Sequence, residues 1–163
     1  IANRRWDGVP FLMRAGKGLD ARMTEVRIRF QKVPGNTFCR VGGCPAANEL
    51  VIRIQPDEAI DLTIVNKVPG LKMALASRNL DLRYETAFSE KIPDAYECLL
   101  LDVIRGDKSL FIRKDELAAA WDIFTPALHD IERRQIRPDP YPFFSNGPAR
   151  ADAIAAMFDS SQR

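Results

Sequence analysis

Histidine is nearly missing from these 163 residues, His129 being the only one, and cysteine is limited to Cys39, Cys44 and Cys98. A zinc site needs four ligands, and with no Cys-x-x-Cys pair and one remote histidine no metal is expected. An odd cysteine count, two in a Gly/Pro/Ala-rich loop and one on a predicted helix, excludes a secreted disulfide framework and is read as free thiols in a reducing compartment. Long apolar runs are also missing. Cys98-Leu99-Leu100-Leu101 is closed by Asp102, far short of the roughly 20 residues a membrane span needs, so no membrane association is expected. There is little excess charge: 24 Lys and Arg against 22 Asp and Glu leave +2, spread along the chain. A nucleic-acid surface would concentrate basic residues among aromatics, and Arg27, Arg29 and Arg53 read instead as a solvated strand face. No Gly-rich turn follows a strand, so nothing seats a dinucleotide pyrophosphate on a helix N-terminus. A Walker A loop is excluded because Phe11 stands where glycine is required and Gly18 where a hydroxyl is required.

What is present is the composition of a globular domain, 46% hydrophobic and 28% charged, long enough to fold around a single core. Val26, Ile28 and Phe30 alternate with charged residues over 24–33, the period-2 pattern of a half-buried strand. The pattern recurs in Leu50, Ile52, Ile54 and in Ile60, Leu62, Ile64, with Gln55-Pro56-Asp57-Glu58 between them as a hairpin turn. Leu80 to Tyr84 reads as a fourth strand. The period changes after Pro93: Ala95, Leu99, Leu100, Val103 and Ile104 fall on a helix preceded by Asp94 and closed by Gly106. A second helix is expected from about Asp115, capped by that side chain, toward Glu132, with a bend or break at Pro126. An irregular Pro/Gly/aromatic stretch from Arg137 to Pro148 precedes a last Ala-rich turn of helix.

Strands first and helices after predict an α+β fold, a largely antiparallel sheet with helices packed on one face. The sheet face left bare is expected to pack on a partner, giving a homodimer or a dimer of dimers. Residues 1–150 read as the domain and 151–163 as a C-terminal tail. With no initiator methionine before Ile1, the chain reads as a fragment of a longer protein.

The segment from Arg5 to Arg22, RWDGVPFLMRAGKGLDAR, sets Lys17 between two glycines with Arg22 five residues on. Glycine lets a backbone approach a ligand, a lysine supplies a point charge, and an arginine offers a planar fork of donors to phosphate. This segment resembles the "RWDGVPF…R.GK.L" block that opens the C-terminal domain of glucose-6-phosphate dehydrogenases. Further blocks follow in the same order: Asn48 to Ala59, Lys67-Val68-Pro69-Gly70, Pro93 to Glu97, and Asp115-Glu116-Leu117 with Ala120-Trp121 and Phe124-Thr125-Pro126. The resemblance covers about Arg5 to Pro148.

The resemblance implies that Lys17 and Arg22 help hold glucose 6-phosphate while Gln55 reaches the sugar. It implies the C-terminal part of an NADP-dependent enzyme that oxidises glucose 6-phosphate to 6-phosphogluconolactone, in the cytoplasm, with a plastid or other organelle also open. NADP would be bound mainly by a separate N-terminal domain. No catalytic residue is expected here, because the family's base is a histidine in an "RIDHYLGKE" segment that this chain lacks, and His129 reads as a surface or core-edge residue. The chain alone is therefore expected to be inactive. A non-catalytic relative keeping the fold for association or regulation is the alternative.

Some members of the family hold a second, non-catalytic NADP in this domain. Arg27, Arg53 and Asp81 match its positions, but Met23 replaces a lysine, Asp61 a tyrosine, Thr63 a lysine, and Asn146 the arginine of the "SRGP" block. Three cations are lost and an anion gained, so no tight second NADP is expected, with Arg27 and Arg53 paired to acids or solvated.

Overall fold

The computed structural model describes residues 3–33, 35–40, 44–89 and 92–160. Among them, the elements in chain order are β1 (Thr24–Arg29), a 3-10 turn (Thr37–Arg40), β2 (Glu49–Gln55), β3 (Ala59–Lys67), β4 (Leu75–Arg83), α1 (Tyr84–Ala87), α2 (Ala95–Arg105), α3 (Lys114–Arg133) and α4 (Ala149–Ser160). The strands form one sheet in the order β1-β2-β3-β4 with every pair antiparallel, which is the α+β class the sequence predicts. Two units divide the chain: Ile1–Glu90 with Tyr141–Arg163, which holds the sheet, and Lys91–Pro140, which holds α2 and α3. The single enclosed core expected from the length is not what the chain builds. Ala59, 1% exposed, is the only buried hydrophobic residue among those described. A sheet is one layer, and a core closes only where a second layer covers it.

The register sorts side chains strictly by face. Val26↔Ile52↔Ile60↔Leu82 and Ile28↔Leu50↔Leu62↔Leu80 make two apolar rows. Their outer members remain open, with Val26 46%, Ile28 41% and Leu80 56% exposed. On the opposite face lie Glu25↔Arg53↔Ala59↔Arg83, Arg27↔Val51↔Asp61↔Asp81 and Arg29↔Glu49↔Thr63↔Asn79. The hairpin turn falls where expected, with the Gln55–Pro56 bond cis and Asp57 left-handed. β1 ends at Arg29 rather than 33, its ladder continued by one bond from the Phe30 amide to the Asn48 carbonyl. β4 starts at Leu75, five residues before Leu80. Its Ser77-Arg78-Asn79 portion has no apolar alternation, and pairing with Val65, Ile64 and Thr63 is what makes it a strand. α1 packs against β4.

In the second unit, α2 forms with the signals its sequence carries. Asp94 accepts from the Tyr96 amide at 2.8 Å, Glu97 accepts from the Asp94 amide at 3.1 Å, and left-handed Gly106 ends the helix. Two expectations for α3 are corrected. Asp115 is not its cap: the helix begins one residue earlier, and the Asp115 carboxylate takes Arg113 Nε at 2.9 Å and a terminal nitrogen at 2.7 Å. That bond from Arg113 holds the Asp115 carboxyl below the usual carboxylate range. Nor does Pro126 break the helix, which runs on to Arg133. Proline removes one amide donor, and the turns on either side keep theirs. His129 is exposed on α3, as expected.

The cysteine reading also changes. Cys39 and Cys44 are joined in a disulfide, and Cys98 is the free, exposed thiol. Cys39 lies on the 3-10 turn, and its Cα is 4.0 Å from that of Cys44. Such closeness across five residues is invisible in the spacing alone.

Removing the α2 cap isolates one local contribution. Asp94→Ala should lower stability by about 1 kcal/mol, with Asp94→Asn costing much less. Chemical denaturation monitored by helical circular dichroism checks it, and equal losses in both variants would show that the cap is not the cause.

Candidate functional site

Lys17 lies on a loop with no secondary structure of its own, and the 141–147 stretch of the same unit holds that loop in place. The Tyr141 hydroxyl donates to the Lys17 carbonyl at 2.8 Å, the Phe144 amide to the Gly18 carbonyl at 2.8 Å, and the Asp20 amide to the Ser145 carbonyl at 3.1 Å. Leu19 and Ser145 form a parallel bridge. Ser145 is itself fixed, its hydroxyl donating to the Pro142 carbonyl at 2.6 Å and accepting from the Gly147 amide at 3.3 Å.

Gly18 serves this docking. Gly18 has φ +65°, and a Cβ there would lie 2.6 Å from Cδ2 of Phe143. Both the left-handed backbone and the stacked ring require glycine. At Gly16 a Cβ would come within 3.3 Å of the Leu19 side chain.

Arg22 sits two residues before β1, and Thr24, the first residue of β1, pairs with Gln55 at the end of β2. A bulge between Thr24 and Glu25 marks this corner. The sheet therefore brings Arg22 and Gln55 to one end of the β1–β2 pair, and the chain from Lys17 leads into it. Lys17, Arg22 and Gln55 are all exposed. Among the described residues none of the three side chains has a hydrogen bond or ion pair. Two cations and an amide are thus left with their donors open to a ligand.

The positions aligned with the second nucleotide behave differently. Arg27 is clamped between Glu25 at 2.8 Å and Glu49 at 3.1 Å. The hydrogen bond that Arg27 donates to Glu25, helped by Glu49 and opposed by partial desolvation, raises its pKa above the ordinary value. Asp81 lies 3.6 Å from Arg83 Nε. Arg53 is half-buried and makes no ion pair among the described residues; its Nε is shielded from solvent without a hydrogen-bond partner.

A cavity of about 390 Å³ lies at the other end of the sheet, lined by Gln31, Lys32, Cys39, Cys44, Lys67 and Leu75 among others. None of Lys17, Arg22 or Gln55 lines it. Lys67 is engaged there with the carbonyls of Val68 and Gly70 at 3.0 and 2.7 Å. Among the described residues no group of His, Cys, Asp and Glu has the arrangement of a metal site. Tyr141, Phe143 and Ser145 are the positioning residues that sequence reading missed. The only sequence signal for them is the aromatic and glycine content of 137–148, which points to irregular backbone without saying what it supports.

The docking of the loop is testable. Gly18→Ala should cost about 1–2 kcal/mol from the left-handed backbone alone, with ring overlap adding to it. Tyr141→Phe should cost about 0.5–1.5 kcal/mol for the lost hydrogen bond. Denaturant titration of both variants checks this, and unchanged midpoints would mean that the loop is not held by the 141–147 stretch.

Comparison with known proteins agrees with this architecture. The family model of the glucose-6-phosphate dehydrogenase C-terminal domain matches residues 1–161. The chain is 56% identical over 159 residues to the chloroplastic glucose-6-phosphate 1-dehydrogenase 3 of Arabidopsis thaliana, covering 96% of this chain and 26% of that protein. It is 49% identical over 156 residues to the cytoplasmic isoform of Solanum tuberosum, covering 94% and 30%. A solved glucose-6-phosphate dehydrogenase in complex with its substrate glucose 6-phosphate superposes with a TM-score of 0.86 at 41% identity, covering all of this chain and 33% of that one. The chain thus spans between a quarter and a third of the length of these relatives. By the model match along its length, by these identities and by its antiparallel sheet, the chain belongs to the glucose-6-phosphate dehydrogenase family and corresponds to its C-terminal domain.

Proposed function

We propose that the chain supplies the sugar-phosphate end of an NADP-dependent glucose-6-phosphate dehydrogenase. The observation that carries this reading is the contrast in charge pairing. Lys17 and Arg22 have no acidic partner among the described residues, whereas Arg27 and Arg83 on the sheet are held by carboxylates. Lys17 and Arg22 would neutralise the phosphate dianion, Arg22 with its planar fork, and Gln55 would both donate to and accept from sugar hydroxyls. Anchoring the phosphate fixes the distance of C1 from the reacting groups, which is how binding remote from the chemistry lowers the barrier.

Oxidation at C1 removes a hydride from carbon and a proton from its hydroxyl, leaving the lactone carbonyl. These 163 residues contain neither the Gly-rich turn that would place a nicotinamide to accept the hydride nor a histidine placed as the base. Both tasks belong to other parts of the whole protein, and the chain alone is expected to show no turnover. Relatives occur as chloroplastic and cytoplasmic isoforms, and the higher identity to the former, 56% against 49%, supports a plastid setting. No helix among the described residues is long and apolar enough to cross a membrane.

In the whole protein, Lys17→Ala and Arg22→Ala should each lower kcat/KM for glucose 6-phosphate by an amount equivalent to about 1.5–3 kcal/mol, the value of a hydrogen bond to a charged group. Steady-state kinetics over a substrate series checks it, and unchanged values in both variants would return these residues to the role of solvated loop charges.

Self-association is proposed through the apolar rows of the sheet, whose outer residues Val26, Ile28 and Leu80 are exposed. Light scattering of the whole protein at micromolar concentration should report a dimer or larger, and Leu80→Glu should shift it toward monomer. A strictly monomeric unmutated protein would refute the interface.

A further inference from the structure

We infer that the polar face of the sheet is a self-neutralised ion-pair layer that stands in place of the second nucleotide, so that this family member holds no NADP there. The three polar rows carry Arg27, Arg29, Arg53 and Arg83 together with Glu25, Glu49, Asp61 and Asp81: four positive and four negative charges, summing to zero.

Neutrality over the face is matched by pairing within it. Arg27 contacts Glu25 and Glu49 at 2.8 and 3.1 Å, and Arg29 reaches Glu49 at 3.8 Å. Arg83 contacts Asp61 at 2.8 Å and Asp81 at 3.6 Å. Asp61 also accepts from Asn79 Nδ2 at 2.9 Å, and Asn79 in turn accepts from the Thr63 hydroxyl at 3.4 Å. The central carboxylates are shielded, with side chains only 17% (Glu25), 22% (Glu49) and 15% (Asp61) exposed.

A 2′-phosphorylated dinucleotide carries several negative charges and requires a surface with unspent cationic donors. To recruit Arg27 it would have to strip the guanidinium from two shielded acids and leave both unpaired. Asp61, in the row shared by Arg27 and Asp81, would repel it directly. Asn146 and Met23 add no charge, and Thr63 is already engaged with Asn79. Arg53 is the one arginine of this face without an acid partner among the described residues, and a single guanidinium with a shielded Nε offers too few donors for a polyphosphate.

The test uses the whole protein, unmutated, with NADP as the probe. Hydrogen exchange followed by mass spectrometry is compared with and without saturating NADP, and calorimetric titration counts nucleotides per subunit for the unmutated protein and for Arg27→Ala and Arg53→Ala. The expected result is no added protection in peptides covering 24–29, 49–55 and 59–67, with a stoichiometry that neither substitution lowers and dissociation constants agreeing within about twofold. NADP-dependent protection of these strands overturns the inference, as does a bound nucleotide that either variant loses. The exchange measurement needs no variant, so a substitution that fails to fold does not blunt it. Loss of activity in Lys17→Ala or Arg22→Ala concerns the other site and bears on neither outcome.

Discussion

The antiparallel register of β1 against β2 is the constraint from which the rest of this chain follows. Thr24 opposite Gln55 and Glu25 opposite Arg53, across a bulge, set which side chains share a face and which end of the sheet faces the loop carrying Lys17. A shift by one residue would exchange the apolar rows with the charged ones. It would also separate the segment leading in from Arg22 from the end of β2. The hairpin between β2 and β3 and the pairing of β3 with β4 then extend the same division to four strands.

Two populations of cations result. On the strands, Arg27, Arg29 and Arg83 lie against carboxylates of the same or a neighbouring strand, because alternation places every second residue on the same polar face, while Arg53 has no acid partner among the described residues. Lys17 and Arg22, on the loop before β1, have no acid partner among the described residues. They stay available, although the chain as a whole is close to neutral. The net charge therefore says little about anion binding here, and the location of each charge relative to the ladder says much more.

Availability needs rigidity as well, since a mobile cation binds at the expense of its own ordering. The chain meets that need with a segment more than a hundred residues away in sequence. Tyr141 holds the carbonyl of Lys17, Phe143 lies on Gly18, and Ser145 bridges Leu19, so the backbone under the lysine is fixed while its side chain remains open. The missing side chain at Gly18 leaves room for the Phe143 ring against the loop.

Period-2 alternation was sufficient to determine β1, β2 and β3, and the Pro56-Asp57 turn between two of them, because half-buried strands impose that pattern on their sequence. The capping residues of α2 were equally legible, being local hydrogen-bond chemistry. The family blocks pointed to Lys17, Arg22 and Gln55, as residue types that suit a phosphorylated sugar. Tertiary structure decided what no local pattern encodes. It extended β4 back to Leu75 through pairing with β3, joined Cys39 to Cys44, carried α3 through Pro126, and moved the Asp115 carboxylate from a cap to Arg113. It also chose which arginines are paired and which are free, and recruited 141–147 to support the loop. Each of these depends on contacts between residues distant in sequence or on competition between nearby partners, whose outcome is settled only when the backbone has placed them together.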